Sequence, residues 1–509
     1  MLYLLRTACL KLFLFCLFSL VYFSINAQEN AVVKISNGYL KGIKEEKSYI
    51  FKGIPYAEAP IDSLRFKAPK PKINWTDTLA CQTFGNAAAQ FDGNSKTVKG
   101  SEDCLKLNVY TPALNTKKKM AVLVWVHGGG MTNGSGSSQN GHAFADVDSI
   151  VTVTINYRLG IFGFLYLADK NYAYSTAGNN GLLDLMMSLT WIKNNIEAFG
   201  GDPNQVTVIG ESAGAKLTST LLLTPAAKNL YHQLILESGG VQCVRDIKTA
   251  RAIRTRLVKK LNLHKPEDLL SLSTKDLISA QNEVCKGAQG TNYFGPVADG
   301  LIISGNPYDY IIKNTAKEKR FLIGTNKVES RMFMDMDKRL YHPNKKVLKD
   351  WFGKNAGLIL KDFKKNERQF GTDSAAKITL TQYMYTMHSY RLANKLSTVN
   401  NNIWMYRFDL SKDGKPATHA AELPYVWFSA NQSQQKINTN LATVMHQYWV
   451  SFIKGQKPVQ NKNTDTTLSW PVYQKNLKQV IIFDQNSRTE TLAHVFDDPK
   501  FPAACFILR

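Results

Sequence analysis

The residues best equipped for chemistry in this 509-residue chain centre on Ser212, in the run Gly210-Glu211-Ser212-Ala213-Gly214. Alone, Gly-x-Ser-x-Gly says little, because three fixed positions in five recur by chance in long chains. Its setting says more. Gln205–Ile209 reads as a strand and Ala213–Leu223 as a helix, so the serine falls on a sharp strand-to-helix turn. Such a turn strains the backbone at the serine, and Gly210 and Gly214 leave room for the neighbouring chain. It also sets the hydroxyl at a helix N-terminus, where the dipole and free N–H groups favour developing negative charge. That is an arrangement for nucleophilic attack on a carbonyl carbon; a purely structural turn serine leaves the context unexplained.

Attack on a carbonyl creates an oxyanion, which needs hydrogen-bond donors. Directly after the apolar run Ala121–Val126 come His127-Gly128-Gly129-Gly130. Glycines in that position let backbone N–H groups point into a site with no side chain in the way. The expected donors are the N–H groups of Gly129, Gly130 and Ala213.

These residues must be held by a scaffold. Short β-branched segments alternate with longer amphipathic ones: Ala121–Val126, Ile150–Tyr157, Gln205–Ile209, Leu234–Leu236, Phe321–Ile323 and Ile403–Phe408 read as strands. Gly181–Phe199 reads as a helix, with Leu182, Leu185, Met186, Leu189, Ile192 and Ile196 near helical spacing. Alternation of this kind predicts an α/β fold with a central, mostly parallel twisted sheet flanked by helices. Lys-rich helical stretches at about 250–280 and 338–396 are expected as insertions over the top of the sheet, shaping the entrance to the site.

Composition sets outer limits. With 44% apolar residues the chain can bury a large core, and no repeat or long linker divides it, so residues 28–509 are expected to form one catalytic domain. Residues 1–27 differ: Arg6 and Lys11 precede and punctuate an apolar run from Leu12 to Phe23, and Ser24-Ile25-Asn26-Ala27 follows and ends in a small residue. They read as a secretory signal peptide cleaved after Ala27, which predicts a secreted or periplasmic protein with no stable membrane anchor; an uncleaved anchor is the alternative. Cleavage lowers the formal charge of +23 by two. A basic surface attracts anionic partners at long range, or is simply solvated. Nucleic-acid binding is not expected, since the lysines are scattered and no recognised module occurs. Five cysteines follow residue 27 (Cys81, Cys104, Cys243, Cys285 and Cys505), none in a Cys-x-x-Cys pair, so structural zinc has little support.

The motifs together resemble the type-B carboxylesterase/lipase family of the α/β-hydrolase superfamily. Phe199-Gly200-Gly201-Asp202-Pro203 through Gly214 looks like its active-site signature, and Glu102-Asp103-Cys104-Leu105 with Leu107-Asn108-Val109 like its second signature. Phe51–Ala57, Leu64-Arg65-Phe66, Asn156–Gly160, Glu237-Ser238-Gly239, Pro296–Gly300 and Trp470-Pro471-x-Tyr473 also fit, in order along nearly the whole chain. The resemblance implies an α/β-hydrolase fold, a triad in the order Ser, acid, His, and hydrolysis of a small-molecule carboxylic ester without cofactor or metal. Composition leaves the base open among nine histidines. The resemblance selects His419, in His419-Ala420-Ala421-Glu422-Leu423-Pro424, as base, and Glu329, just past Phe321–Ile323, as acid. His127, in the glycine loop, and His142, in a polar stretch without a partner pattern, are the competing bases. It further implies that Glu211, Glu422 and Ser238 form a buried polar network behind the triad; a plain structural role fits them equally.

Departures from the family pattern bear on the substrate. Ala88 stands where the family usually has the cysteine bonded to the equivalent of Cys104; Cys81 is an alternative partner, and a Cys243–Cys285 pair is also open. Gln82–Gly100 is short and polar, unlike the amphipathic flap of an interfacial lipase, and lacks the Trp with which cholinesterases hold a quaternary ammonium. Met131 follows the glycine loop where an aromatic is common, which predicts a more adaptable acyl pocket. The expected substrates are short-chain or aromatic soluble esters. A lipase-like enzyme and a specialised glycan or feruloyl esterase remain as alternatives, and a non-catalytic, neuroligin-like binding protein as a reading of another class.

Overall fold

A computed structural model describes residues 30–169, 172–285, 294–303, 307–429, 437–459, 468–492 and 500–501. The expected signal segment and Cys505 lie outside the described residues. Fifteen strands follow one another along these residues: β1 (Asn30–Ile35), β2 (Gly38–Glu45), β3 (Ser48–Pro55), β4 (Thr78–Ala80), β5 (Gln90–Asp92), β6 (Thr97–Lys99), β7 (Lys106–Thr111) and β8 (Met120–Val126) come first. Then come β9 (Val151–Ile155), β10 (Gly201–Glu211), β11 (Gln233–Glu237), β12 (Arg320–Asn326), β13 (Ile403–Phe408), β14 (Gln479–Phe483) and β15 (Arg488–Thr491). Thirteen of them form a single sheet, in the lateral order β1-β2-β3-β7-β9-β8-β10-β11-β12-β13-β14-β15 with β4 beside β2. From β9 to β14 every neighbouring pair is parallel. The predicted mostly parallel sheet is therefore present, extended at both ends by antiparallel strands.

Alternation along the central strands explains why they form a buried layer. Val122, Val124 and Val126 of β8, Val206 and Val208 of β10 and Leu234 and Leu236 of β11 join one core. Their neighbours Leu123, Trp125, Ile209 and Ile235 join another on the opposite face. Strand side chains alternate with a period of two, so a sheet this apolar on both faces needs cover on both. Helix Asn180–Asn195 supplies Leu182, Leu185, Leu189 and Ile192 to the first core. Helix Thr439–Ile453 supplies Met445, Tyr448, Trp449 and Phe452 to the second.

The two Lys-rich stretches are helical as expected. Ile247–Lys260 and Thr274–Val284 form the first, and helices between Ser330 and Leu396 form the second. The second carries a core of its own, built around Phe333, Leu348, Trp351, Phe352, Ile359 and Phe363. Gln82–Gly100 holds the β5–β6 hairpin, and helix formation does not extend into it. Among the described residues, no helix is long and apolar enough to cross a membrane.

Neither cysteine pairing left open by the sequence is formed: Cys81, Cys104, Cys243 and Cys285 are all free and buried. They pack as small apolar side chains, and burial pushes the Cys81 thiol up to about 12 and that of Cys243 to about 11.

One buried ion pair ties the sheet to the loops at its end. Arg158, just past β9, donates from Nε to Asp184 Oδ2 at 2.8 Å and from Nη2 to Asp184 Oδ1 at 2.7 Å. Its backbone N–H also reaches Asp184, at 3.0 Å. Two residues on, Gly160 N donates to the carbonyl of Met131 at 2.6 Å, holding the end of the glycine loop. Removing one partner from a buried pair strands the other charge in a medium that solvates it poorly. Asp184→Ala is expected to lower the unfolding free energy by about 3–5 kcal/mol, read from the denaturant midpoint; a change below about 1 kcal/mol would contradict this role.

Candidate active site

Ser212 sits where β10 ends and helix Ala213–Thr220 begins, with φ 55° and ψ −120°. A non-glycine residue at positive φ is strained, and the neighbouring chain holds it there. Ser212 N donates to the carbonyl of Glu237 at 2.9 Å, across to the end of β11. On the other side, a Cβ built on Gly214 would lie 2.0 Å from the carbonyl oxygen of Val126. Only glycine allows the turn to press so closely on the end of β8.

The side chains predicted at a distance in sequence meet here. His419 Nε2 is 2.8 Å from Ser212 Oγ, and His419 Nδ1 is 2.6 Å from Glu329 Oε2. Glu329 is fully buried on the turn after β12, and its other oxygen accepts hydrogen bonds from Ser238 Oγ at 2.6 Å and Asn326 N at 2.7 Å. Asn326 Nδ2 in turn donates to Glu422 Oε2 at 2.6 Å. Glu211 Oε1 lies 3.2 Å from His419 Nε2. All three of the expected supporting residues, Glu211, Glu422 and Ser238, therefore lie in one buried network with the Ser-His-Glu set.

The electrostatics follow from crowding acids in a dry interior. Burial pushes the Glu211 carboxyl up to about 7, with the His419 charge opposing and Glu329 adding to the rise. Burial, then the charges of Glu211 and Glu329, push Glu422 up to about 8. Glu237, which accepts a hydrogen bond from Trp449 Nε1 at 2.9 Å, is driven well above the carboxylate range by burial and Glu422. For His419, burial works against the cation, but the charges of Glu211 and Glu329 and the bond to Glu329 prevail and raise it.

The glycine loop faces Ser212. A Cβ on Gly128 would meet Glu211 Oε2 at 2.8 Å and Ser212 Cβ at 3.2 Å. Gly129 and Gly130 take φ of +99° and +64°, and the Gly129 carbonyl accepts from Asn133 N at 2.9 Å, closing the loop on itself. With Ser212 and His419 they line a cavity of about 660 Å³, whose wall includes Phe91, Met332, Phe333, Met336 and Tyr385.

The competing histidines have other partners. His127 is buried, stacks on Tyr157 at 4.6 Å, and is depressed to about 4 by burial. His142 was expected in a polar loop; instead it is buried as the first residue of helix His142–Asp148, with Nδ1 3.1 Å from both oxygens of Asp146. Its polar sequence neighbours masked the apolar packing of Ala143 and Phe144. Met131 also departs from expectation. At φ 62° its side chain turns into the main core, whereas Thr132 and Asn133 line the cavity.

Three contributors were not anticipated. Asn326 could have been found from its place three residues before Glu329. Tyr385, whose ring centroid is 4.5 Å from that of His419, lies in a π-helical turn, Gln382–Thr386, and no local pattern announces it. Lys216 stands one helical turn after Ser212 and lines the same cavity.

Comparison with known proteins identifies the family. The model of the Carboxylesterase family matches residues 29–496. The para-nitrobenzyl esterase of Bacillus subtilis (strain 168) is 31% identical, over 90% of this chain and 96% of that protein. The fumonisin B1 esterase of Sphingopyxis macrogoltabida is 30% identical, over 86% and 84%. A crystal structure of a Geobacillus stearothermophilus carboxylesterase at pH 6.2 superposes with a TM-score of 0.80 at 32% identity, covering 91% of this chain and 98% of that one. The chain belongs to the carboxylesterase family and is a serine carboxylic ester hydrolase with the α/β-hydrolase fold.

Proposed function

We propose that Ser212, His419 and Glu329 are the nucleophile, base and acid of an esterase that works through an acyl-enzyme. The observation that carries this is the unbroken chain of contacts from Ser212 Oγ through both imidazole nitrogens to Glu329, at 2.8 and 2.6 Å. As Ser212 Oγ attacks the ester carbonyl, its proton passes to His419 Nε2, while Glu329 holds the tautomer and offsets the imidazolium charge. The oxyanion rests on the N–H groups of Gly129, Gly130 and Ala213. Collapse breaks the C–O bond, the alkoxide takes the proton from Nε2, and water then repeats the sequence on the acyl-enzyme. Glu211 Oε1, 3.2 Å from Nε2, faces the proton at the moment it arrives.

The substrates are short-chain or aromatic soluble esters. A partly aromatic cavity of about 660 Å³ supports this, as does the short β5–β6 hairpin where an interfacial lipase needs an amphipathic flap. The relatives named para-nitrobenzyl esterase and fumonisin B1 esterase support ester hydrolysis in such a cavity. Residues 1–27 act as an export signal, leaving a single secreted or periplasmic catalytic domain from residue 28. Recovery of an exported protein that begins at Gln28 would support this, and an intact N-terminus on the exported protein would refute it.

Purified protein is expected to hydrolyse p-nitrophenyl acetate and butyrate, and Ser212→Ala to lower kcat by at least about 10⁴-fold with Tm preserved. Full activity in that variant, or preference for long-chain emulsions, would sink the reading. The base must be neutral to accept a proton, so kcat/KM falls as pH drops through the His419 pKa. Because that pKa is raised, the acid limb is expected above the ordinary imidazole value of about 6.5. Glu211→Gln removes a charge that favours the cation, so it should move the limb to lower pH; an unmoved limb would deny Glu211 that influence.

A further inference from the structure

Among the described residues, four buried cations are satisfied by the protein itself. Arg158 is paired with Asp184 and Arg254 with Asp169. Arg245 Nη1 donates to the carbonyl of Cys243 at 2.8 Å, and Lys319 Nζ donates to the carbonyls of Lys228 and Tyr231 at 2.7 and 2.5 Å. Lys216 is different. It is 6% exposed, yet among the described residues Nζ makes no hydrogen bond or ion pair. It lies over the face of Tyr385, 4.7 Å from the ring centroid. It lines the cavity that holds Ser212 and His419, and its backbone N–H bonds to the Ser212 carbonyl at 3.0 Å.

An ammonium on a largely buried side chain without a hydrogen-bond partner is only partly solvated, and a cation on a cavity wall is compensated when an anion enters. We propose that Lys216 is a specificity-determining residue that receives a carboxylate carried by the ester substrate. The preferred substrates are then esters with a carboxylate a few carbon atoms from the scissile bond, in the acyl or the alcohol part, such as hemi-esters of dicarboxylic acids. This rests on the Ser212 esterase reading and adds the substrate class to it. Tyr385 links the two functions, because its ring packs on His419 and under Lys216.

The charge state suits the task. Burial pushes Lys216 down to about 8, with Arg245 acting in the same direction and Cys243, Glu211 and Glu329 against it. His388, buried nearby, is itself pushed down to about 3 and adds no charge at neutral pH. The ammonium is therefore present near pH 7 and is lost as pH rises through about 8.

The test compares matched esters on the full mature enzyme and on Lys216→Met and Lys216→Arg. The acyl arm sets mono-p-nitrophenyl glutarate against p-nitrophenyl valerate. The alcohol arm sets 4-acetoxybenzoate against 4-methylphenyl acetate. In at least one arm the charged-to-neutral ratio of kcat/KM is expected to fall about tenfold or more in Lys216→Met, the range for a lost charge-assisted hydrogen bond, and to be retained in Lys216→Arg. The arm that responds locates the carboxylate. Ratios within about threefold of the unmodified enzyme in both arms would overturn the proposal. The unmodified enzyme gives a second reading free of folding effects: the ratio should decline as pH rises through about 8, and a ratio flat from pH 6.5 to 9.5 counts against it. Absence of hydrolysis of the charged and the neutral esters alike would instead refute the Ser212 reading itself.

Discussion

The contact between Gly214 and the carbonyl of Val126 sets the geometry on which the rest of the site depends. With only 2.0 Å available to a Cβ there, the start of helix Ala213–Thr220 is pressed onto the end of β8, the strand that runs into the glycine loop. Ser212 is thereby held at positive φ, and the two elements that would supply oxyanion donors are fixed against each other. The strain at Ser212 is sustained by its neighbours. Its N–H is committed to Glu237 at the end of β11, and Ser238, also at positive φ, commits its own N–H to Gly324 of β12 at 2.9 Å. Each strand end braces the next across the parallel sheet, and Ser212, Ser238 and Asn326 ride on successive ends.

A second constraint is electrostatic. Glu211, Glu237, Glu329 and Glu422 are crowded into one buried region, and like charges in a dry interior cannot all ionise. The donors are distributed unequally. Glu329 accepts three hydrogen bonds, from Ser238, Asn326 and His419. Burial and mutual repulsion push Glu422 and Glu237 towards the neutral acid. The histidine is thus flanked by the best-satisfied carboxylate of the group, and the remaining acids adjust around it.

Much of this was legible before the structure, and the exceptions have physical causes. Ser212, the glycine loop and the parallel strands were readable because each needs a local pattern: a turn, a run without side chains, an apolar stretch. His419 and Glu329 lack such a pattern and came from family resemblance. The N-terminal strands went unread although Ala31, Val33 and Ile35 are buried in alternation with exposed Val32 and Lys34. Helix Thr439–Ile453 was readable from Leu441, Met445, Tyr448 and Phe452 but likewise missed. His142 was misplaced because polar neighbours in sequence conceal apolar neighbours in space. The pairing of cysteines cannot be read from spacing, since it depends on tertiary placement, and all four described cysteines are free and buried. Tyr385 belongs to a helical insertion with a core of its own, and no local pattern marks that two rings of that core, Phe333 and Tyr385, also pack against His419.

Lys216 shows where sequence patterns and energetics part company. In the helix Ala213–Thr220 it is one lysine among small and apolar residues, and periodicity alone would assign it to a solvated face. The helix, however, is buried along its length, so no such face exists. A flexible lysine can usually escape a core by snorkelling to water; here the route outward is the cavity shared with Ser212. The same turn that presents Ser212 at the start of the helix therefore turns Lys216 into that cavity one step later. A helix placed to aim a hydroxyl at a carbonyl carbon thus fixes a cation at a constant offset from it, and that offset is a ruler any charged ester must match.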